Sequence, residues 1–235
     1  MTAAQILEEL KPLGRPGYKK ILLNHGAKEP VLGVKIEDLK KFHKRIKKDY
    51  HLALELYDSG IYDAMYLAGL IADETKMTKK NLRQWLDNAT CGMLTEYTIP
   101  WLAAESRYGR ELAMAWIDSK DENTASAGWA TLTSLVSIKD DSELDLPELK
   151  RLLDRVTKTI HQQPDRVRYS MNAFVIAAGS FVQPLTDVAL KAATAIGPVT
   201  VDMGNTACKV PSARDYILKV QKRGAIGKKR ETARC

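Results

Sequence analysis

The chain has 235 residues, of which 45% are hydrophobic and 28% charged, and its formal net charge is +7. This composition excludes an intrinsically disordered protein, and the length is enough for one large domain or two small ones with a sizeable core. The three cysteines are far apart, which excludes a zinc ribbon and favours a reducing compartment over a disulfide framework.

The chain begins with MTAAQILEEL, which has no basic region followed by an apolar core and is therefore not a secretory signal. The least polar stretch, MNAFVIAAGSFV, is too short to span a bilayer. We therefore predict a soluble cytoplasmic protein that does not contact a membrane.

A helical period of apolar residues recurs along the chain. In IEDLKKFHKRIKK, the side chains of Ile36, Leu39, Phe42 and Ile46 fall on one stripe and the lysines fall elsewhere, as in an amphipathic helix. The only candidate strand is the short extended segment PVTVD at 198–202, so the sequence predicts an all-α fold. The predicted helices are 36–48, 51–58, 60–73, 78–88, 92–104, 107–118, 122–137, 147–162, 165–182 and 184–196, with a last helix between Ser212 and Gly224.

Three of these segments resemble one another, because DAMYLAGLIA, TASAGWATLT and SMNAFVIAAG are all rich in small residues. They lie roughly 40 to 60 residues apart and are joined to their neighbours by short breaks, which favours antiparallel helix pairs stacked in order. The pattern indicates either a helical-repeat array or a non-repeating helical bundle.

Helix start and stop signals mark two of the later segments. Asp145, with Glu148 three residues later, matches a capping box, and Ser212 and Asp215 repeat the pattern before the last helix. Gly224 lies where a C-terminal cap is expected, after a turn rich in Lys and Arg.

The net charge is concentrated at the C-terminus. Residues 209–235 contain nine Lys and Arg against Asp215 and Glu231, so 9 − 2 = +7, and residues 1–208 are balanced. We therefore divide the chain into a helical-repeat domain, 1–208, and a basic C-terminal helix and tail, 209–235, whose last residues we expect to be free. Such a segment is typical of an arm that binds an anionic polymer, most commonly DNA or RNA.

Two internal helices add rows of cations. Helix 147–162 places its basic residues nearly opposite its apolar stripe, and helix 36–48 presents a second row. Rows of this kind either solubilise a helix face or neutralise phosphates and release counterions. The predicted DNA-binding residues are Arg151, Arg155, Lys158, Lys44, Lys48, Lys209, Lys222, Arg223, Lys228, Lys229 and Arg230.

The sequence lacks the common short motifs of catalytic and cofactor-binding sites. It contains no phosphate-binding GxxxxGK[ST], no GxGxxG, no HExxH and no GxSxG, and its four histidines lie in separate segments. The stretch DMGNTACK at 202–209 is either a connector to the last helix or a turn that could hold a phosphate beside Lys209. We predict no cofactor and no metal.

The four tryptophans lie within 45 positions of one another. Trp116 and Trp129 have small apolar neighbours and are predicted to be core residues. Trp85 and Trp101 are either core residues or aromatic surfaces in a groove suited to stacking on bases.

The pattern as a whole resembles the HEAT-like repeat DNA glycosylases of the bacterial DNA alkylation repair family. The resemblance covers about residues 20 to 195 and rests on YDAMYLAGLIAD, WIDSKDENTASAGWATLTSL, the entry segment GVKIEDLKKFHKRI and the basic surface. It implies a right-handed α-α superhelix that holds duplex DNA on a positively charged concave face. In active members it also implies excision of alkylated purines without flipping the base into a pocket.

The family's active site uses a Trp followed four residues later by an Asp. If Trp85 is that aromatic residue, Ala89 occupies the carboxylate position, and if Tyr97 is, Trp101 occupies it. Asp87 lies two residues after Trp85, on the wrong side of the helix.

The family also uses an Arg on a later repeat and a second Trp on the next. Matching WIDSKDENTASAGWA to that repeat places Ser126 at the Arg position, and Phe174 takes the place of the second Trp. The resemblance therefore suggests groove aromatics at Trp85, Tyr97, Trp101 and Phe174, whereas the carboxylate and the guanidinium are missing.

Three functions remain open at this stage. The first is a DNA-binding relative with weak or absent glycosylase activity, whose partner is branched or damaged DNA. The second is an active alkylpurine glycosylase whose carboxylate comes from Asp87 or Glu96. The third is a protein-interaction scaffold that holds an acidic peptide, a common use of helical repeats.

Overall fold

In the computed structural model the structure describes residues 1–204, 206 and 208–234, and the chain forms two compact units. The first unit contains residues 1–107 together with Met203, Gly204, Thr206 and Arg234, and the second contains residues 108–202 and 208–233. The division at residues 107 and 108 falls inside the segment that the sequence analysis treated as one repeat domain. The predicted division into a helical-repeat domain, 1–208, and a basic C-terminal helix and tail, 209–235, stays a prediction.

The first unit is built around one helix whose residues are all buried. Its helices are α1 (Ala3–Leu10), α2 (Pro16–Asn24), α3 (Ile36–Ile46), α4 (Tyr50–Asp58), α5 (Tyr62–Ile71), α6 (Lys79–Asp87) and α7 (Ile99–Glu105), with a π-helical turn at Leu94–Thr98 before α7. The central helix is α5, which packs against α3 and α4. A Cβ atom on Gly69 would lie 2.1 Å from Cγ2 of Thr98, so only glycine allows α5 to approach the π-helical turn this closely.

A buried carboxylate fixes the loop that precedes α3. Asp63, in the first turn of α5, accepts hydrogen bonds from the backbone N–H groups of Leu32 (2.6 Å), Gly33 (3.3 Å) and Val34 (2.7 Å). These bonds satisfy backbone groups that would otherwise be buried without partners.

The second unit has two layers of helices. It contains α8 (Gly109–Trp116), α9 (Glu122–Ile138), α10 (Leu146–Thr159), α11 (Asp165–Phe181), α12 (Thr186–Ile196) and α13 (Ala213–Lys222). Helices α9, α11 and α13 pack side by side, α10 and α12 pack together against them, and α8 packs on α9. The small-residue segments predicted to be alike form α5, α9 and α11, and most of their residues are buried.

Several local predictions are confirmed by this arrangement. Asp145 caps α10 by accepting from the N–H of Glu148, and Ser212 caps α13 by accepting from the N–H of Asp215. Gly224 follows α13 with φ of +62°, a backbone conformation that glycine adopts without strain.

Other predictions differ from the structure. Helices α1 and α2 were not predicted, because they are only 8 and 9 residues long and prolines and glycines lie close to both. Residues 198–202 form no strand, and no strand occurs elsewhere in the described part of the chain. Among the described residues no single helix is long and apolar enough to cross a membrane, although Asp165–Phe181 and Gln183–Ile196, bent by 117°, reach that length and composition together.

Candidate nucleic-acid interface

Helix α13 is anchored in the second unit by its apolar side. Ala213 and Ile217 are buried, and the side-chain amide of Asn172 donates to the carbonyl of Pro211 just before the helix begins. A Cβ atom on Gly179 of α11 would lie 2.6 Å from Cδ1 of Ile217 and 2.9 Å from Cβ of Ala189. Close packing at this point therefore holds α13 against α11 and α12.

The opposite side of α13 is basic and exposed. Lys219, Lys222 and Arg223 are all exposed, and none of them makes an ion pair with another described residue. Arg214 lies near Asp215, with 3.8 Å between Nη1 and Oδ1. Two of the predicted DNA-binding residues, Lys222 and Arg223, therefore belong to a cluster of uncompensated charge on a well-supported helix.

The row of cations on α10 is largely engaged within the second unit. Arg155 donates to Oδ1 of Asp118 (2.7 Å) and to the carbonyl of Ile117 (3.0 Å), and its guanidinium carbon lies 5.6 Å from the ring centre of Trp129. Lys158 pairs with Asp154 at 2.6 Å. Arg151 is exposed and makes no ion pair with a described residue, so it is the member of this row best placed to meet a phosphate.

The two predicted DNA-binding residues on or next to α3 also differ, because one is paired with a carboxylate and the other is not. Nζ of Lys48 lies 2.5 Å from Oε1 of Glu74 and is thereby compensated. Lys44 is exposed and makes no ion pair within the described part of the first unit.

The expectation that the last residues are free is wrong. In the second unit, Gly227 donates its backbone N–H to the carbonyl of Ser180, and Arg230 donates its own to the carbonyl of Ser137. Nζ of Lys229 pairs with Oδ1 of Asp141 at 2.8 Å and donates to the carbonyl of Val136 at 3.0 Å. The accepting carbonyls lie in the last turns of α9 and α11, where the helix dipole favours positive charge.

Among the remaining cations of the basic C-terminal segment, one is buried and others are exposed. In the first unit, Arg234 donates to the carbonyl of Leu70 near the end of α5 and pairs with Glu74. Lys209, Lys228 and Arg230 have exposed side chains. Asn205 and Ala207 lie outside the described residues, so the phosphate-binding turn predicted in the stretch 202–209 stays a prediction. Cys235 also lies outside the described residues.

The predicted groove aromatics are mostly interior side chains. Trp85 is 1% exposed and stacks on Tyr57, with ring centres 4.0 Å apart, while Trp101 and Phe174 are 4% and 0% exposed. Tyr97 is half-buried and packs edge-on against Trp101. For Trp85 and Trp101 the sequence left a core position and a groove position open, and packing against other aromatic rings buries both of them as well as Phe174. Contact between these rings and DNA stays a prediction.

The positions matched to the family's active site carry no charged group. Ser126 is fully buried, and its hydroxyl lies 2.7 Å from that of Ser170, so an Arg side chain would not fit without rearrangement. Ala89 is half-buried just after the end of α6. The carboxylates named as alternatives differ in exposure, since Asp87 is exposed at the end of α6 and Glu96 is buried on the π-helical turn.

A thiol close to this turn is held neutral. Burial raises the pKa of Cys91, the nearby Glu96 raises it further, and the backbone N–H groups of Leu94 and Met93 only partly oppose this effect. Because the thiolate is the reactive form, Cys91 is not placed to act as a nucleophile at neutral pH.

Comparison with known families identifies the chain. A family model described as DNA alkylation repair enzyme matches residues 6–215. The chain belongs to the DNA alkylation repair enzyme family. The resemblance stated from the sequence is thereby confirmed, whereas the active-site matches at Ala89 and Ser126 stay predictions.

Relatives of this DNA alkylation repair family member extend over nearly its whole length. An uncharacterized protein of Listeria monocytogenes and one of Listeria innocua are each 34% identical to it over 229 residues, which is 95% of this chain and 99% of theirs. A solved structure is similar with a TM-score of 0.92 and 36% identity, covering 100% of both chains. That structure is described as representing a new family of proteins related to the HEAT-like repeat DNA glycosylases, with affinity for branched DNA structures. The fold is therefore the HEAT-like helical-repeat fold.

Proposed function

We propose that this protein binds DNA through its backbone phosphates, prefers branched over linear duplex DNA, and has little or no glycosylase activity. The observation that carries the proposal is the cluster of exposed, uncompensated cations on α13. Membership of the DNA alkylation repair family supports DNA as the partner, and the affinity described for the structural relative supports branched DNA in particular.

The charge distribution favours some predicted residues over others. A cation that already pairs with a carboxylate must lose that pair before it can neutralise a phosphate, so it contributes less to binding than a free one. Arg155, Lys158, Lys48 and Lys229 are paired in this way. The residues we propose for phosphate contact are Lys44, Arg151, Lys209, Lys219, Lys222, Arg223 and Lys228.

The proposed loss of base excision rests on the missing charges. Departure of an alkylated purine develops positive charge on the deoxyribose, which a positioned carboxylate stabilises. Ala89 and Ser126 cannot supply this carboxylate or the accompanying guanidinium. Removing one preorganised group of this kind costs on the order of 3 kcal/mol, or a hundredfold or more in rate.

The test of DNA binding is a titration of the full-length protein with linear duplex, single-stranded and four-way-junction DNA at several salt concentrations. The test variant replaces Lys219, Lys222 and Arg223 with Gln. The control variant replaces Lys41, Lys139 and Lys158 with Gln, which removes the same charge from lysines that already form ion pairs. Comparing the two separates a local effect of α13 from an effect of net charge.

We expect tight, salt-dependent binding that is strongest for the junction. The test variant should lower the slope of log K against log salt by about 2 to 3, since each lost phosphate contact changes it by roughly 0.9, and the control should change it much less. Equal weak binding of all DNA forms, unaffected by either variant, would contradict the proposal and favour the protein-scaffold alternative.

The absence of efficient glycosylase activity needs a separate assay. Alkylated DNA is incubated with the protein, and release of 3-methyladenine and 7-methylguanine is measured over time. We expect release no faster than spontaneous loss. Release at enzyme-like rates that disappears in the Asp87→Asn, Glu96→Gln double variant would instead establish the active-glycosylase alternative.

A further inference from the structure

Helix α13 exposes an aromatic ring that the sequence analysis did not single out. Within the described residues three large hydrophobic side chains are exposed, namely Met1, Ile21 and Tyr216, and only Tyr216 is aromatic. Its side chain is 48% exposed and makes no ring contact with another described residue. Covering this ring with a partner would remove apolar surface from water, which is favourable.

The ring lies on the same stripe of the helix as two free cations. At about 100° per residue, Lys219 lies roughly 60° and Arg223 roughly 20° from Tyr216 around the helix axis. Neither cation pairs with a described carboxylate. A flat apolar surface is therefore bordered along the helix by two groups that attract phosphates.

The side of α13 beneath this stripe is closely packed and hydrogen-bonded at its start. Ile217, next to Tyr216, is fully buried, and Gly179 of α11 allows the close approach described above. The N-terminal end of α13 is held by the cap at Ser212 and by the hydrogen bond from Asn172 to Pro211. Because the helix is already ordered, little conformational entropy would be lost when a ligand binds there.

We propose that Tyr216 stacks on an unpaired base at the branch point of DNA, while Lys219 and Arg223 hold the phosphates on either side of that base. This inference rests on the proposed function. Base faces inside a linear duplex are covered by their neighbours, whereas a fork or junction leaves some accessible, and aromatic stacking is tolerant of base identity. Because base faces are accessible at a branch point and covered inside a linear duplex, stacking by Tyr216 favours binding to branched DNA. The matched family region ends at residue 215, so this stripe lies beyond it.

The experiment compares wild type with Tyr216→Ala and Tyr216→Phe on a forked DNA and on a linear duplex of the same sequence. The fork carries 2-aminopurine at the first unpaired position, whose fluorescence reports a change in stacking. Ile21→Ala serves as the control, since it removes an exposed apolar side chain from α2 in the first unit. Circular dichroism of each variant checks that the helices remain intact.

We expect Tyr216→Ala to weaken fork binding about 5-fold or more, to leave duplex binding within about 2-fold, and to abolish the fluorescence change. Tyr216→Phe should behave as wild type, because the ring and not the hydroxyl stacks, and so should Ile21→Ala. Unchanged fork preference and fluorescence in Tyr216→Ala would overturn the inference while leaving the proposed function standing. Failure of the wild type to bind either DNA would overturn both.

Discussion

Nη2 of Arg234 lies 2.6 Å from Oε2 of Glu74, and Nε of the same guanidinium lies 2.9 Å from Oε2 of Glu105. The Arg234 side chain is only 8% exposed, and it also donates to the carbonyl of Leu70. A residue that the sequence suggests belongs to a solvated basic tail is therefore part of the interior of the first unit.

Substitution of Arg234 should destabilise this unit substantially. In Arg234→Ala, two largely buried carboxylates would lose their shared cation, and breaking a buried ion pair from one side typically costs about 3 kcal/mol. Urea denaturation of the full-length protein measures the effect. Lys228→Ala removes a cation of the same tail that is exposed, so it should change the free energy of unfolding by less than about 0.5 kcal/mol. Equal effects of the two substitutions would contradict this prediction.

The same carboxylate cluster should make stability depend on pH. Burial alone would raise the pKa of Glu74, but the hydrogen bonds from Lys48 and from its own backbone, with the charges of Arg234 and Lys48, outweigh burial and lower it. A carboxyl group whose pKa is lower in the folded state stabilises the protein above its unfolded pKa, and this contribution is lost as pH falls through the folded pKa. In unfolding experiments from pH 7 to pH 3, Glu74→Gln should therefore be less stable than wild type near pH 7. The difference should shrink below about pH 4, whereas a gap that is constant over this range would count against the assignment.

Removal of residues 224–235 should lower the stability of the fold, in addition to any effect on DNA binding. A chain ending at Arg223 lacks the contacts of Lys229 and Arg234, so we expect its Tm to fall by roughly 6 to 12 °C. Thermal unfolding followed by circular dichroism checks this result. Weaker DNA binding by such a truncation would be ambiguous, whereas the substitutions on α13 retain the tail. An unchanged Tm would show that the docked tail contributes little.

Two glycines should respond in opposite directions to substitution by Ala. A Cβ atom at Gly128 of α9 would lie 2.6 Å from the backbone N of Ile117, so Gly128→Ala should destabilise the second unit by about 2 kcal/mol despite the better helix propensity of Ala. At Gly17 in α2 a Cβ atom meets nothing within 4 Å, and Gly17→Ala should be neutral or stabilising by about 0.5 kcal/mol. Chemical denaturation of both variants tests the contrast, which would be lost if backbone shifts absorbed the added methyl group.

The sequence by itself determined the all-α class, the positions of most helices and several of the residues that begin or end them. Apolar periodicity, the caps at Asp145 and Ser212 and the stop at Gly224 depend on residues a few positions apart, so local physics is sufficient to predict them. The excess charge of the C-terminal segment is also a property of composition alone. The short helices α1 and α2 were missed, because prolines and glycines near them obscure the period.

Tertiary structure decided which charged and aromatic side chains are available to a partner. Arg234 and Glu74 are 160 residues apart in sequence, and no local pattern predicts that they meet. The same holds for Trp85, which stacks on Tyr57 in the core, and for Tyr216, which remains exposed. Composition fixes how many cations and rings a chain carries. Whether each is neutralised, buried or left for DNA depends on contacts through space that form only when the helices pack.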